Sequence, residues 1–137
     1  MKTAVIYWSG TGNTEAMAKA AAEGANAELF SVSDFSGNIA DYDALGLGSP
    51  ALGDEVLEES EFEPFFAGIE DKISGKKIAL FGSYDWGDGE WMRLWADRVK
   101  AAGANIVDGE GLICNNTPDD EGLAKCRALG EKLAKGG

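Results

Sequence analysis

The chain has 137 residues, of which 45% are hydrophobic and 26% are charged, as expected for one soluble domain with one core. Its 24 acidic residues outnumber its 12 Lys and Arg, and the net charge of −12 disfavours binding to nucleic acids and anionic membranes. The absence of histidine removes the commonest general base, the commonest metal ligand and the Ser-His and Cys-His nucleophile pairs.

The two cysteines, Cys114 and Cys126, lack the CxxC spacing of zinc, iron–sulfur and thioredoxin-type sites, and they fit a reducing cytoplasm. Cys126 shares a helical face with Leu123 and Leu133, which predicts core packing rather than redox chemistry. No apolar run approaches the ~18 residues of a membrane span, and the first run is too short for a signal peptide. These features favour chemistry that is supplied by a cofactor.

Strand-like and helical patterns alternate along the chain. Strands are predicted at residues 3–8, 27–32, 44–48, 77–84 and 105–114, and the third and fourth are continuously apolar, as strands buried on both faces should be. An alanine-rich helix is predicted at residues 14–24, with Gly24 at its end. Three further apolar stripes at helical spacing follow, namely Phe62, Phe65, Phe66, Ile69 and Ile73, then Trp91, Leu94, Trp95, Arg98 and Val99, then Leu123, Cys126, Leu129 and Leu133.

This order predicts an α/β domain with a parallel sheet and right-handed crossovers, and residues 1–137 are predicted to form a single domain.

In such sheets, ligands bind beyond the carboxyl ends of the strands. The loop after strand 1 consists of Ser9, Gly10, Thr11, Gly12, Asn13 and Thr14. It leads into a helix N-terminus, where backbone N–H groups and the helix dipole favour an anion.

The same loop lacks the GK[ST] of a triphosphate site, and Glu15 stands where a dinucleotide-binding motif needs glycine. We therefore predict a site for one phosphate monoester, held by backbone and hydroxyl donors. For this loop alone, a plain glycine turn that caps a helix is the alternative.

Residues 7–14, with the sequence YWSGTGNT, resemble the phosphate-binding signature of short-chain flavodoxins. The resemblance continues through residues 51–55, 58–65 and 81–89, covers nearly the whole chain and is strongest to the clostridial-type members. It implies a flavodoxin-like fold, which is a doubly wound five-stranded parallel sheet of order 2-1-3-4-5 with helices on both faces. It also implies a low-potential one-electron carrier that uses non-covalently bound FMN and turns over no substrate of its own.

The resemblance assigns the loop after strand 3 to the flavin ring. This loop contains Pro50, Ala51, Leu52, Gly53, Asp54 and Glu55. By resemblance, the Gly53–Asp54 peptide reorients to offer a hydrogen bond to flavin N5 when the semiquinone forms, Glu55 accepts from flavin N3–H, and Leu52 lies against one ring face. Glycine makes such a peptide reorientation inexpensive because it tolerates positive φ. Without the resemblance, an acidic loop is usually only a solvated one.

The loop after strand 4 contains Ser83, Tyr84, Asp85, Trp86 and Gly87. A tryptophan among glycine and acidic residues is a candidate stacking platform, and by resemblance Trp86 covers the second ring face. Asp85 stands where close relatives have glycine. By contrast, Trp91 and Trp95 lie on a helical stripe, which predicts core packing. After strand 5, the polar turn with Asn115 and Asn116 flanks the pyrimidine end of the ring by resemblance.

The expected partners are redox proteins with basic docking surfaces. One partner, a reductase or oxidoreductase, donates electrons, and another accepts them. The chain is expected to be a cytoplasmic monomer. Alternatively, the acidity serves solubility alone. Two rival functions are an FMN-dependent NAD(P)H:quinone or flavin reductase, which needs free space over the ring, and a flavodoxin-like activator of a metalloenzyme. A signalling receiver is disfavoured because Trp8, Ser9 and Gly10 replace its paired carboxylates after strand 1.

Overall fold

The computed structural model describes residues 2–10, 12–51, 58–84 and 89–135. Strands and helices alternate along these residues. They are β1 (Thr3–Tyr7), α1 (Asn13–Ala25), β2 (Glu28–Ser31), β3 (Ala44–Gly48), α2 (Phe62–Ile69), β4 (Lys77–Tyr84), α3 (Glu90–Ala101), β5 (Asn105–Ile106), β6 (Leu112–Asn115) and α4 (Asp120–Ala134). None of the helices in these ranges combines the length and the hydrophobicity that crossing a bilayer requires.

The strands form one parallel sheet in the order β2-β1-β3-β4-β5, which confirms the predicted order 2-1-3-4-5. The prediction of one continuous strand over residues 105–114 was wrong. β5 pairs with the beginning of β4 and β6 pairs with its end, and a short 3-10 turn (Val107–Gly109) separates them. Asp108 has a φ of 63° and Gly109 one of 77°, and two successive residues with positive φ cannot continue an extended strand. The Asp-Gly pair is the sequence signal for this turn.

The hydrophobic core lies in two layers, one on each face of the sheet. α2 and α3 cover one face, where Phe62, Phe66, Trp91 and Trp95 are among the largest fully buried side chains. Because Trp91 and Trp95 are only 2% and 1% exposed, their predicted place in the core is confirmed. α1 and α4 cover the other face with smaller side chains, including Met17.

Helix α1 continues one residue beyond its predicted end at Gly24, and Asn26, with a φ of 51°, caps it instead. The glycine has a packing role. A Cβ atom on Gly24 would lie 2.0 Å from the carbonyl oxygen of Arg127 in α4, and one on Gly130 would lie 2.0 Å from the carbonyl oxygen of Ala21 in α1. The two helices therefore pack backbone against backbone at these positions.

On the opposite face, Arg98 of α3 binds both the first turn of α2 and the turn that follows this helix. Its guanidinium group donates to both carboxylate oxygens of Glu63, at 2.6 and 3.0 Å, and to Glu70 at 2.9 Å. The guanidinium carbon also lies 4.8 Å from the centre of the Phe66 ring. This arrangement ties α2 and the following 3-10 turn (Glu70–Lys72) to α3.

Candidate functional site

The carboxyl ends of β1, β3, β4 and β6 lie along one edge of the sheet, and backbone hydrogen bonds join the loops that leave them. The N–H of Trp8 donates to the carbonyl of Gly48 at 3.0 Å, which connects the loops after β1 and β3. The N–H of Ala51 donates to the carbonyl of Ser83 at 3.0 Å, which connects the loop after β3 to the end of β4. The structure therefore brings the described parts of the predicted loops together.

In the loop after β1, Ser9 organises the chain that leads into α1. Its hydroxyl oxygen accepts hydrogen bonds from the N–H groups of Gly12 at 3.1 Å and Glu15 at 3.2 Å. Gly12 precedes the helix with a φ of 94°, a conformation that only glycine adopts readily. Since the Ser9 oxygen already accepts twice, its own proton can be donated to a group bound at the start of α1.

These features fit a bound phosphate monoester such as that of FMN. The N-terminal end of a helix carries partial positive charge, and Gly12 adds no side chain that would fill the space there. A Cβ atom on Gly10 would lie 3.0 Å from the Trp8 ring, so the chain runs close beside this aromatic side chain.

Beside this loop, beyond the carboxyl ends of β1 and β2, lies a cavity of about 430 Å³ with two acidic residues in its lining. The Tyr7 hydroxyl donates to the Glu15 carboxylate at 3.0 Å, and the Trp8 indole N–H donates to Glu61 at 3.1 Å. Burial raises the pKa of Tyr7, and its bond to Glu15 raises it further. Tyr7 is therefore a hydrogen-bond donor at neutral pH, and it fixes the side chain of Glu15 at the start of α1.

Thr14 lies in the first turn of α1 and Ser83 lies near the end of β4, and their hydroxyl oxygens are 3.0 Å apart. Thr14 is 1% exposed and Ser83 is 5% exposed. The side chain of Thr14 thus points into the protein toward β4. This contact joins the loop after β1 to the strand that carries Ser83 and Tyr84.

The turn after β6 also packs against β4. The backbone N–H of Asn116 donates to the carbonyl of Tyr84 at 2.7 Å, and the side-chain amide of Asn115 donates to the same oxygen at 3.2 Å. Asn116 has a φ of 56°, a turn conformation that asparagine tolerates. Thr117 donates to the side-chain oxygen of Asn13 at 3.2 Å, so this turn reaches the start of α1.

Two residues outside the predicted set, Ser49 and Glu58, hold the described ends of the loop after β3. The N–H of Glu58 donates to the Ser49 hydroxyl at 3.2 Å, and both residues are buried. An acidic residue just before the apolar stripe that starts at Phe62 is a helix-start signal, and it could have indicated Glu58. Ser49 had no comparable signal, because its partners are distant in sequence.

Pro50 and Ala51 are partly exposed at the beginning of the same loop. The remaining residues that were predicted from the sequence fall outside the described ranges. They are Thr11, Leu52, Gly53, Asp54, Glu55, Asp85, Trp86 and Gly87.

The two cysteines, 12 positions apart in the sequence, are neighbours in the fold. Cys126 is fully buried, which confirms its predicted place in the core, and the half-buried Cys114 packs against the same cluster. The interaction between the two thiols lowers the pKa of Cys114 and raises that of Cys126. Cys114 lies at the end of β6, immediately before Asn115.

Comparisons with known proteins agree with this geometry. The family model described as flavodoxin matches residues 5–130. The chain is 49% identical to the flavodoxin of Clostridium beijerinckii over 136 residues, which cover 95% of this chain and 97% of that protein. It is 46% identical to the flavodoxin of Megasphaera elsdenii, over 96% of this chain and 97% of that protein. The solution structure of the two-electron reduced M. elsdenii flavodoxin superposes with a TM-score of 0.80 at 43% identity, covering 97% of this chain and 98% of that one.

Proposed function

The chain belongs to the flavodoxin family of FMN-binding electron carriers, and from this premise we propose that it is a low-potential one-electron carrier without substrate turnover of its own. In this proposal, residues 1–137 form one FMN-binding domain. The observation that supports it most directly is at the N-terminus of α1, where the Ser9 hydroxyl accepts two backbone hydrogen bonds and so keeps its own proton to donate to a phosphate. FMN supplies the one-electron chemistry when it is bound, and the chain binds and orients it.

We assign the FMN phosphate to the loop after β1, whose residues are Ser9, Gly10, Thr11, Gly12, Asn13 and Thr14. Because the loop contains no Lys or Arg, the phosphate would be bound by N–H groups, hydroxyls and the helix dipole rather than by ion pairing. The Thr14 hydroxyl is already engaged with Ser83, so the backbone N–H of Thr14 is the more direct donor.

We assign the flavin ring to the space beyond β3 and β4. In this proposal, three segments surround the ring. One side is formed by Pro50, Ala51, Leu52, Gly53, Asp54 and Glu55, and the other side is formed by Ser83, Tyr84, Asp85, Trp86 and Gly87. The pyrimidine end is formed by Asn115 and Asn116. The bonds from Ala51 to Ser83 and from Asn116 to Tyr84 support this assignment, because they bring the described parts of all three loops together.

The proposed partners are redox proteins with basic docking surfaces. Support comes from the net charge of −12 and from the exposed carboxylate of Glu61, which follows the loop after β3. In the proposed state the protein is a monomer in the cytoplasm. If docking is electrostatic, electron transfer from a basic partner slows as the ionic strength rises.

The proposal is tested by titrating the apoprotein with FMN and with riboflavin. We expect FMN to bind at least about tenfold more tightly, since only FMN carries the phosphate that the β1 loop would bind. Ser9→Ala should weaken the binding of FMN and leave that of riboflavin unchanged. Equal affinities for the two flavins would contradict the phosphate assignment.

A second measurement separates a carrier from a reductase. The FMN-loaded protein is mixed with NADH or NADPH alone, and then with a flavoprotein reductase in addition. A carrier is reduced only when the reductase is present. Turnover with the nicotinamide alone would contradict the proposal and favour the NAD(P)H:quinone or flavin reductase.

A further inference from the structure

The Glu58 carboxylate is buried at the start of α2, with an exposed fraction of 4% for the residue. It accepts hydrogen bonds from the backbone N–H groups of Ser60, Glu61 and Phe62, each at 2.8 Å, and from the Ser60 hydroxyl. Buried carboxylates are costly unless their oxygens are bonded. Here both oxygens accept bonds from the N-terminal end of a helix, where negative charge is stabilised.

The backbone of Glu58 is bound as firmly as its side chain. Its N–H donates to the Ser49 hydroxyl at 3.2 Å, and its carbonyl accepts from the N–H of Glu63 at 2.8 Å. Ser49 is fully buried at the end of β3. It is held there by the bond from its N–H to Phe81, at 3.2 Å, and by the bond from the Trp91 indole to its carbonyl, at 3.3 Å.

The chain therefore leaves the sheet at Ser49 and returns to the same hydroxyl at Glu58. Residues 50–57 lie between these two contacts, and they include the residues that we assign to one side of the flavin ring. From this geometry we infer that Glu58 is a positioning residue, whose buried carboxylate and bond to Ser49 hold both ends of the flavin-binding segment 50–57 and so set the FMN affinity and reduction potentials. This inference rests on the proposed function.

A carboxylate suits this position better than the amide of glutamine would. Each of the two carboxylate oxygens accepts two bonds, whereas a glutamine side chain has one accepting oxygen and would direct an N–H₂ group toward N–H or hydroxyl donors. Burial alone would raise the pKa of Glu58, but the bonds from Ser60, Phe62 and Glu61 outweigh burial, and its pKa is lowered.

The lowered pKa has a consequence for stability. A carboxyl group with a lower pKa in the folded state than in the unfolded state contributes stability that is fully present above its unfolded pKa. That contribution is lost as the pH falls through the folded value. Unfolding of the apoprotein across the acid range therefore reports on the Glu58 carboxylate independently of FMN.

The test compares Glu58→Gln with Glu59→Gln, which makes the same charge change at an exposed neighbouring position. We measure urea unfolding of each apoprotein against pH, the FMN dissociation constant and both one-electron reduction potentials. We expect Glu58→Gln to flatten the acid dependence of unfolding, to raise the dissociation constant about tenfold and to change the separation of the two potentials. Glu59→Gln should leave the dissociation constant and the separation unchanged.

Ser49→Ala provides a second variant that retains the Glu58 carboxylate and removes only the bond between the two ends. We expect it to change the FMN affinity and the separation of the potentials in the same direction as Glu58→Gln, and it keeps the inference testable if Glu58→Gln does not fold. The inference would be overturned if Ser49→Ala kept the wild-type FMN affinity and reduction potentials. It would also be overturned if Glu58→Gln kept them and lost only stability. Either result would leave the proposed function intact. A wild-type chain that does not bind FMN would overturn both.

Discussion

The hydroxyl oxygens of Thr14 and Ser83, 69 positions apart in the sequence, lie 3.0 Å from each other in the interior of the protein. One of the two hydroxyls donates to the other, so each satisfies a polar group that burial would otherwise leave without a partner. The pair joins the first turn of α1 to β4, and therefore couples the proposed phosphate loop to the proposed ring loops.

We expect Thr14→Val and Ser83→Ala to destabilise the apoprotein by roughly 1–3 kcal/mol each, because each leaves one buried hydroxyl unpaired. The double variant should lose less than the sum of the single losses, since no unpaired hydroxyl remains. Urea unfolding of the four proteins measures this difference. Strictly additive losses would show that the two hydroxyls do not interact.

Trp86 and Trp95 should respond in opposite ways to substitution by alanine. Trp95 is 1% exposed and packs edge to face on Phe62 and Phe66, so that Trp95→Ala should lower the free energy of unfolding by roughly 3–5 kcal/mol. For Trp86, which we assign to the flavin, Trp86→Ala should instead weaken FMN binding by roughly 1–3 kcal/mol, the usual range for base–aromatic stacking. Apoprotein unfolding and FMN titration measure the two effects, and the reverse pattern would exchange the roles of the two residues.

The packing of α1 against α4 predicts a sharp contrast among three glycine-to-alanine variants. In Gly24→Ala and Gly130→Ala the new methyl group would lie 2.0 Å from a carbonyl oxygen of the facing helix, and we expect losses of roughly 1–3 kcal/mol or more. Gly68 of α2 is the matched control, because the space beside it is open and it lies within a helix. Gly68→Ala should stabilise the protein by about 0.5–1 kcal/mol. Comparable losses at all three positions would argue against the close helix packing.

The thiol pair predicts a pH-dependent reactivity. Because the neighbouring Cys126 thiol lowers the pKa of Cys114, the rate at which iodoacetamide labels Cys114 should reach half its maximum at a lower pH than for a free cysteine. Cys126→Ala removes this neighbour and should shift that midpoint to higher pH. Mass spectrometry of the labelled protein measures both rates, and Cys114→Ser serves as the control, since the buried Cys126 should remain unlabelled. An unchanged midpoint in Cys126→Ala would show that Cys126 does not alter the pKa of Cys114.

The helices and most of the strands could be predicted from the sequence, because short stretches of residues determine them. The apolar runs located β1 to β4, the alanine-rich segment located α1, and the three stripes located α2, α3 and α4, because burial of an apolar face requires that periodicity. The prediction of one strand over residues 105–114 does not contain the break between β5 and β6, although Asp108 and Gly109 mark a turn there. Gly24 resembles a helix end in the sequence, because Arg127, against which it packs, is distant in the chain.

The same distinction applies to the candidate site. The hydroxyl and glycine residues of the β1 loop are contiguous and could be recognised together. The contact of Cys114 with Cys126 and that of Ser49 with Glu58 depend on how α4 and α2 return to the sheet. No local pattern contains that information, and the positions of these side chains become evident only once the helices are packed.

The bonds that hold the site loops to one another have a consequence for how this protein can evolve. These bonds join main-chain atoms, which nearly every amino acid supplies equally well. The donors are on Trp8, Ala51 and Asn116, and the acceptors are on Gly48, Ser83 and Tyr84. A substitution at one of these positions therefore leaves the main-chain bonds in place, even where the side chain has its own packing role, as at Ser83 and Gly48. Natural selection can adjust what the loops present to a cofactor or to a partner by single substitutions, while the inherited scaffold beneath them stays unchanged.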